Sequence, residues 1–187
     1  LMRNLERAVA LLKNFRQVAA DQASEQRRQF DLRQVLGEVL HTLAPSLKRE
    51  AHTVTLEAPE GIAMDSYPGP LGQVVINLVN NAYLHAFEGT AQGSVWLRAS
   101  ANADTVTLVC QDNGRGIAPE TLDKMFMPFF STRIGSGGTG LGMSIVDNLV
   151  KATLGGSLNV ASSLGEGTTV TITLPRVAPA PHSDAEG

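Results

Sequence analysis

Two strand-like runs, "SVWLRAS" (94–100) and "TVTLVCQ" (105–111), are separated by only the four residues "ANAD". A link that short can reverse the chain but cannot carry a crossover helix, so the pair predicts an antiparallel hairpin. The neighbouring segments must fit around it. Further strands are expected at 52–57, 62–65, 157–162 and 168–174. Helices are expected at about 32–49, from Pro68 through "LGQVVINLVNNAYLHAF", near 119–124 and over 141–154. Asp31 with Gln34 three positions on makes a capping signal, and Pro68 and Pro70 suit the first turn of a helix. Hairpins interleaved with helices, instead of strict strand–helix alternation, predict an α+β fold. The expected form is a two-layer sandwich, with a mixed, mainly antiparallel sheet covered by helices on one face.

A long helix is expected ahead of this unit. Leu1, Leu5, Ala8, Leu12, Phe15 and Ala19 fall at alternating spacings of four and three, the seam of a coiled coil or bundle. Such a helix needs a partner, supplied by another part of a longer protein, by a second copy, or by both. The polar run "DQASEQRRQ" (21–29) closes the seam, giving expected boundaries at 1–28, 29–176 and 177–187. The last piece, proline- and alanine-rich, is expected to be disordered. The net charge of −3 comes with no Lys/Arg-rich block, so nucleic acid and anionic lipid are not expected partners. No apolar run approaches the roughly 20 residues of a membrane span. Cys110 is the only cysteine, which excludes an internal disulfide and a thiolate zinc site and suits a reducing, cytoplasmic setting.

Three constellations carry chemistry. Gln73, Asn77, Asn81 and His85 recur every four residues, while Leu71, Val74, Val75, Leu78 and Ala82 cover the opposite helix face. A polar stripe of amides, with no Lys or Glu, either meets solvent or lines a site. Amide oxygens there can complete the octahedral shell of Mg²⁺ without adding charge beside a triphosphate. The second constellation, "GSGGTGLGMS" (135–144), runs into a helix, where backbone N–H groups and the helix terminus suit phosphate. Gly135, Gly137 and Gly140 have the G-x-G-x-x-G spacing of a dinucleotide-binding turn, but lack a strand before them and an acidic residue about 20 positions on. The third is "DNGRGI" (112–117). It reads as an ordinary turn or as a base-binding loop. An ionised Asp112 only accepts hydrogen bonds and adenine's amine only donates, so a buried aspartate at a strand end selects adenine over guanine. Gly114 and Gly116 are expected to let the backbone approach the base closely.

In this order the pieces resemble the ATP-binding catalytic domain of bacterial two-component sensor histidine kinases, in the superfamily that also holds DNA gyrase, the ninety-kilodalton heat-shock chaperone and MutL. "NLVNNA" resembles the family's N box, "DNGRGI" its first glycine box, "FMPF" its F box and "GTGLGMSIV" its second glycine box. The late "GEGTTVTITLP" is similar to its closing strands. The resemblance covers about residues 30–175.

It implies ATP and Mg²⁺ as ligands. Asn81 is then the principal Mg²⁺ ligand and Asn77 its neighbour near the phosphates, the two residues placed closest to the chemistry. Asp112 accepts from the adenine amine, with Gly114, Gly116, Ile117 and Thr168 beside the base. Gly138, Thr139, Gly140, Leu141 and Gly142 cap the triphosphate. Ser131 to Gly137 form a lid in which Ser131, Thr132 and Arg133 approach the nucleotide, Arg133 as the candidate phosphate contact. His85 reaches a phosphate or caps its helix.

Residues 1–28 resemble the second helix of the dimerisation and phosphoacceptor hairpin, which implies a homodimeric parent, possible membrane anchoring outside this chain, and a response regulator receiver domain as partner. None of His41, His52, His85 and His182 is followed by the acidic residue of the acceptor motif, so the chain is expected to bind nucleotide without phosphorylating itself. Two rivals remain. One is an ATP hydrolase of the gyrase or MutL kind, whose family carries Glu where this chain has Asn77, an amide unable to act as a general base. The other is a non-catalytic nucleotide-sensing or interaction module.

Overall fold

The computed structural model describes residues 26–48, 51–131 and 140–180. The seam helix expected before residue 26 and the tail from 181 onward lie outside the described residues. A five-stranded sheet runs in the order β2 (Thr53–Glu57), β4 (Ser94–Ala101), β5 (Thr105–Asp112), β7 (Gly167–Pro175), β6 (Ser157–Ser163). The β4–β5, β5–β7 and β6–β7 pairs are antiparallel and β2–β4 is parallel. The central hairpin is as expected; Asn102 Oδ1 accepts from the N–H groups of Asp104 and Thr105 and shapes its turn.

Every second residue of the central strands points into one core. Val95, Leu97 and Ala99, then Val106, Leu108 and Cys110, then Val170, Ile172 and Leu174 are all buried. Over them lie α1 (Leu32–Leu47), α2 (Pro68–Asn81) and α4 (Gly142–Asn148), with a short α3 (Pro119–Leu122) near β6. The apolar face read from the sequence of α2 is the buried one: Leu71, Val74, Val75 and Leu78 are at most 4% exposed. Asp31 caps α1 by accepting from the Gln34 N–H at 3.0 Å. On the sheet's other face Arg98 bonds Glu57 and Gln111 and lies over the Trp96 ring. The architecture is the α+β sandwich that the patterning predicts. Among the described residues no helix is long and apolar enough to cross a membrane.

The structure adds three features that the patterning did not. A four-residue strand, β1 (Arg28–Asp31), pairs antiparallel with β3 (Ala63–Ser66) in a separate two-stranded sheet. Both α2 and α4 end in π-helical turns, Ala82–Ala86 and Leu149–Thr153, and the first of them lines the cavity described below. The tail expected to lack order from 177 does not begin there: the Asp65 N–H donates to Arg176 O, Ala178 N–H donates back to Asp65 O, and Ala178 is 3% exposed. An alanine is small enough to bury beside β3, and its backbone pairing holds the chain past the composition change at Pro175.

Candidate functional site

Helix α2, the end of β5, the start of β7 and the start of α4 enclose a cavity of about 530 Å³. Of the residues singled out from the sequence, Asn77, Asn81, His85, Asp112, Gly116, Ile117, Ser131, Gly140, Gly142 and Thr168 line it. Gly114 and Leu141 do not line it. Thr132, Arg133, Gly138 and Thr139 lie outside the described residues.

At the strand end of the cavity Asp112 is the last residue of β5 and the register partner of Thr168 on β7. It is 8% exposed, and one carboxylate oxygen accepts from the Gly114 N–H at 2.9 Å. Burial pushes its carboxyl above the ordinary carboxylate range, while the backbone N–H groups of Gly114 and Thr168 pull the other way. Cys110, two residues earlier on the same strand face, is buried and its thiol is pushed up to about 12, by burial first and then by the Asp112 charge.

The glycines of "DNGRGI" also lie against the protein's own backbone. A Cβ at Gly114 would meet the Cβ and carbonyl of Ala86 at 2.4 Å, and one at Gly116, where φ is +73°, would meet the Ser163 carbonyl oxygen at 2.0 Å. They permit close contact with the protein's own backbone: the loop lies pinned between the π turn of α2 and the β6–β7 hairpin. Three hydrogen bonds fasten it there: Arg115 N–H to Ala86 O at 2.9 Å on the π turn, and Gly165 N–H to Arg115 O at 2.7 Å and Ile117 N–H to Ser162 Oγ at 2.8 Å on the hairpin. The Arg115 side chain reaches Glu88 at 2.9 Å on the far side of the same turn. His52, Tyr83 and Phe87 pack ring against ring beneath it, with the Gly93 N–H donating to His52 Nδ1.

At the helical end the amide stripe faces the cavity, as its spacing allows. Gln73, 9% exposed, donates to Asn77 Oδ1, leaving Asn77 Nδ2 buried without a partner among the described residues. A buried amide N–H₂ with nothing to donate to is costly unless an acceptor arrives. Asn81 Oδ1 lies 4.0 Å from where a Cβ at Gly142 would stand, so this oxygen and the start of α4 are neighbours. Among the described residues no cluster of three or more His, Cys, Asp or Glu exists to hold a metal. The donor set suits a hard cation that arrives with anionic ligands of its own and needs only a neutral oxygen from the protein.

Several lining residues were not anticipated. Met125, Phe130, Met143 and Leu164 give the cavity apolar walls, and Arg115 stands at its edge. Apolar residues in a glycine-rich stretch carry no periodicity that would mark them as walls. Ser162, behind Thr168, bears no sequence signal at all.

Residues 67–178 match the family model described as "Histidine kinase-, DNA gyrase B-, and HSP90-like ATPase". The sensor histidine kinase ZraS of Salmonella typhi is 39% identical over 112 residues, covering 59% of this chain and 23% of ZraS. The chain therefore spans less than a quarter of that relative's length. The nucleotide-free catalytic domain of histidine kinase ThkA matches with a TM-score of 0.71 at 24% identity, covering 81% of this chain and 97% of that one, a likeness of fold. Full-length ShkA, solved in complex with AMPPNP, matches with a TM-score of 0.67 at 26% identity, covering 83% of this chain and 32% of that one. The family model spans more than half of the sequence and takes in the cavity-lining part of α2, β5, α4 and β7; the chain belongs to the histidine kinase-, DNA gyrase B- and HSP90-like ATPase family, as a catalytic domain of the histidine kinase type.

Proposed function

We propose that this domain binds Mg²⁺-ATP in the cavity and donates the γ-phosphoryl group to a histidine of the parent protein's dimerisation hairpin, for relay to a response regulator. The observation that carries the proposal is the placement of a buried, backbone-held carboxylate, Asp112, across one cavity from the Asn77–Asn81 face of α2 and the start of α4.

Asp112 accepts from the exocyclic amine of the base, its orientation held by the Gly114 N–H, while Thr168 and Ile117 flank the ring. Met143, buried at 6% exposure, gives the cavity an apolar wall, which strengthens the polar contacts beside it. Asn77 Nδ2 donates to a phosphoryl oxygen, and Asn81 Oδ1 is the protein's ligand to the metal. Bound Mg²⁺ supplies charge neutralisation at the phosphoryl oxygens. The segment holding Thr132, Arg133, Gly138 and Thr139 keeps the phosphate contacts that the family resemblance implies. AMPPNP in ShkA supports a triphosphate as the ligand class. The chain's share of other proteins, under a quarter of ZraS and about a third of ShkA, supports a longer parent that carries the acceptor histidine. Asn77, unable to accept a proton, disfavours direct hydrolysis of the gyrase or MutL kind.

The test is transfer of label from γ-labelled ATP, with Mg²⁺, from this domain to a longer piece of the same protein whose own Asp112 has been replaced. Acid-labile label on a histidine of that piece is expected. Phosphate release without label would mean a hydrolase, and neither signal would leave a nucleotide-sensing or interaction module.

A further inference from the structure

Ser162 lies outside the cavity, yet its hydroxyl is the meeting point of the loop that follows Asp112 and of the strand that carries Thr168. Three atoms stand within hydrogen-bond distance of Ser162 Oγ: the Ile117 N–H at 2.8 Å, the Gly167 carbonyl oxygen at 2.9 Å and Thr168 Oγ1 at 2.8 Å. A serine hydroxyl has one proton and two lone pairs, so it can donate once and accept twice. Ile117 N–H can only donate and Gly167 O can only accept. All three contacts are satisfied together in one arrangement alone: Ser162 donates to Gly167 O and accepts from both Ile117 N–H and the Thr168 hydroxyl. The Thr168 proton is thereby directed inward, and Thr168 Oγ1 offers only lone pairs towards the cavity that it lines.

We infer that Ser162 is a specificity-determining positioning residue: by holding the Thr168 proton, it makes the base end of the cavity, Asp112 together with Thr168, a surface of acceptors that takes a 6-amino purine and rejects a 6-oxo purine. This inference rests on the proposed binding of an adenine nucleotide at Asp112. With Ser162 removed, the Thr168 hydroxyl is free to rotate and donate into the cavity, where the O6 atom of a 6-oxo purine can accept from it. The loss is therefore one of discrimination and not only of affinity.

ATP and inosine triphosphate differ at the 6-position of the base and are the probes, with Kd for each measured by calorimetry on the whole domain. In Ser162→Ala the preference for ATP is expected to shrink about fivefold, the scale of one neutral hydrogen bond gained by the wrong base. Ser162→Thr, which keeps the hydroxyl, is expected to restore the native ratio. In a Thr168→Val background Ser162→Ala is expected to leave the ratio unmoved, because the hydroxyl through which it acts is gone. Equal weakening of both nucleotides by Ser162→Ala would overturn the inference and leave Ser162 a structural strut. If the alanine variant fails to fold, Ser162→Cys, with its weak acceptor sulfur, reads the same ratio in the same direction, and an unchanged ratio there overturns the inference as well. Failure of the native domain to bind ATP at all would instead remove the adenine reading on which the inference stands.

Discussion

At the base end of the cavity the polar groups sit on neighbouring strands: Asp112 and Thr168 are register partners across β5 and β7, both at most 9% exposed. At the phosphate end they sit on helix α2 and at the start of α4. There Asn77 Nδ2 has no partner among the described residues, and part of the expected phosphate-binding segment is not among them. One end is satisfied by the protein itself, through the Gly114 N–H, the Thr168 N–H and the Ser162 hydroxyl. The other holds a buried donor, Asn77 Nδ2, that no described residue completes. On the proposed reading, base recognition is preorganised in the sheet, and phosphate binding depends on groups that await an anion and a cation.

The division predicts separable losses, the largest at the base end. In Asp112→Asn the Gly114 N–H keeps the amide oxygen, so the –NH₂ takes the other carboxylate position and turns a donor towards the donor amine of adenine. ATP, ADP and adenosine should all weaken by about a hundredfold, because the lost contact was to a charged group and a buried mismatch replaces it. Calorimetry with the three ligands checks this. Adenosine affinity left intact would mean that the base lies elsewhere.

A smaller and more selective loss is expected at the helical end. Asn81→Ala removes the oxygen beside Gly142 and should weaken Mg²⁺-ATP by about tenfold, the scale of one ligand to a metal held largely by its substrate. Adenosine, which carries no phosphate, should bind as before. If adenosine weakened in parallel, the two ends would be one coupled structure and the division would fail.

How far the sequence discloses this division follows from the kind of signal each part carries. Alternating burial made β4, β5 and β7 legible, and the fourfold recurrence of amides made the cavity face of α2 legible, because both are local periodicities. The parallel pairing of β2 with β4 is a contact between segments about 40 residues apart with no turn to announce it. Strand β1 escaped for a related reason: it has four residues, only Phe30 among them buried, and its partner lies beyond α1. The π turns depend on an extra residue per turn that composition does not mark. Gly114 and Gly116 stood out as close-approach positions, but a glycine signals close approach without saying to what, so their contacts with Ala86 and Ser163 were not legible. Ser162 was invisible, because its importance lies in the direction of one proton.

A pH dependence that differs in sign between binding and stability is also expected. Burial raises the Asp112 carboxyl above its ordinary value, and only the ionised form accepts from the amine. ATP affinity should be complete above that raised value and lost as pH falls through it. The folded apo-domain, however, holds this proton more tightly than the unfolded chain. Between the ordinary and raised values this group therefore adds stability as pH falls. Asp65 works in the opposite sense: its hydrogen bond with Arg27 lowers its carboxyl, so its contribution is present above the ordinary value and is lost as pH falls through the lowered one. Asp112 binds its proton first on acidification, so the rise in Tm produced by ATP should shrink before the apo-domain itself loses stability. Melting curves with and without ATP, taken from neutral pH downwards, separate the two. A nucleotide-induced shift that persists until the apo-domain unfolds would mean that the Asp112 proton plays no part in binding, and would leave Thr168 as the acceptor at the base end.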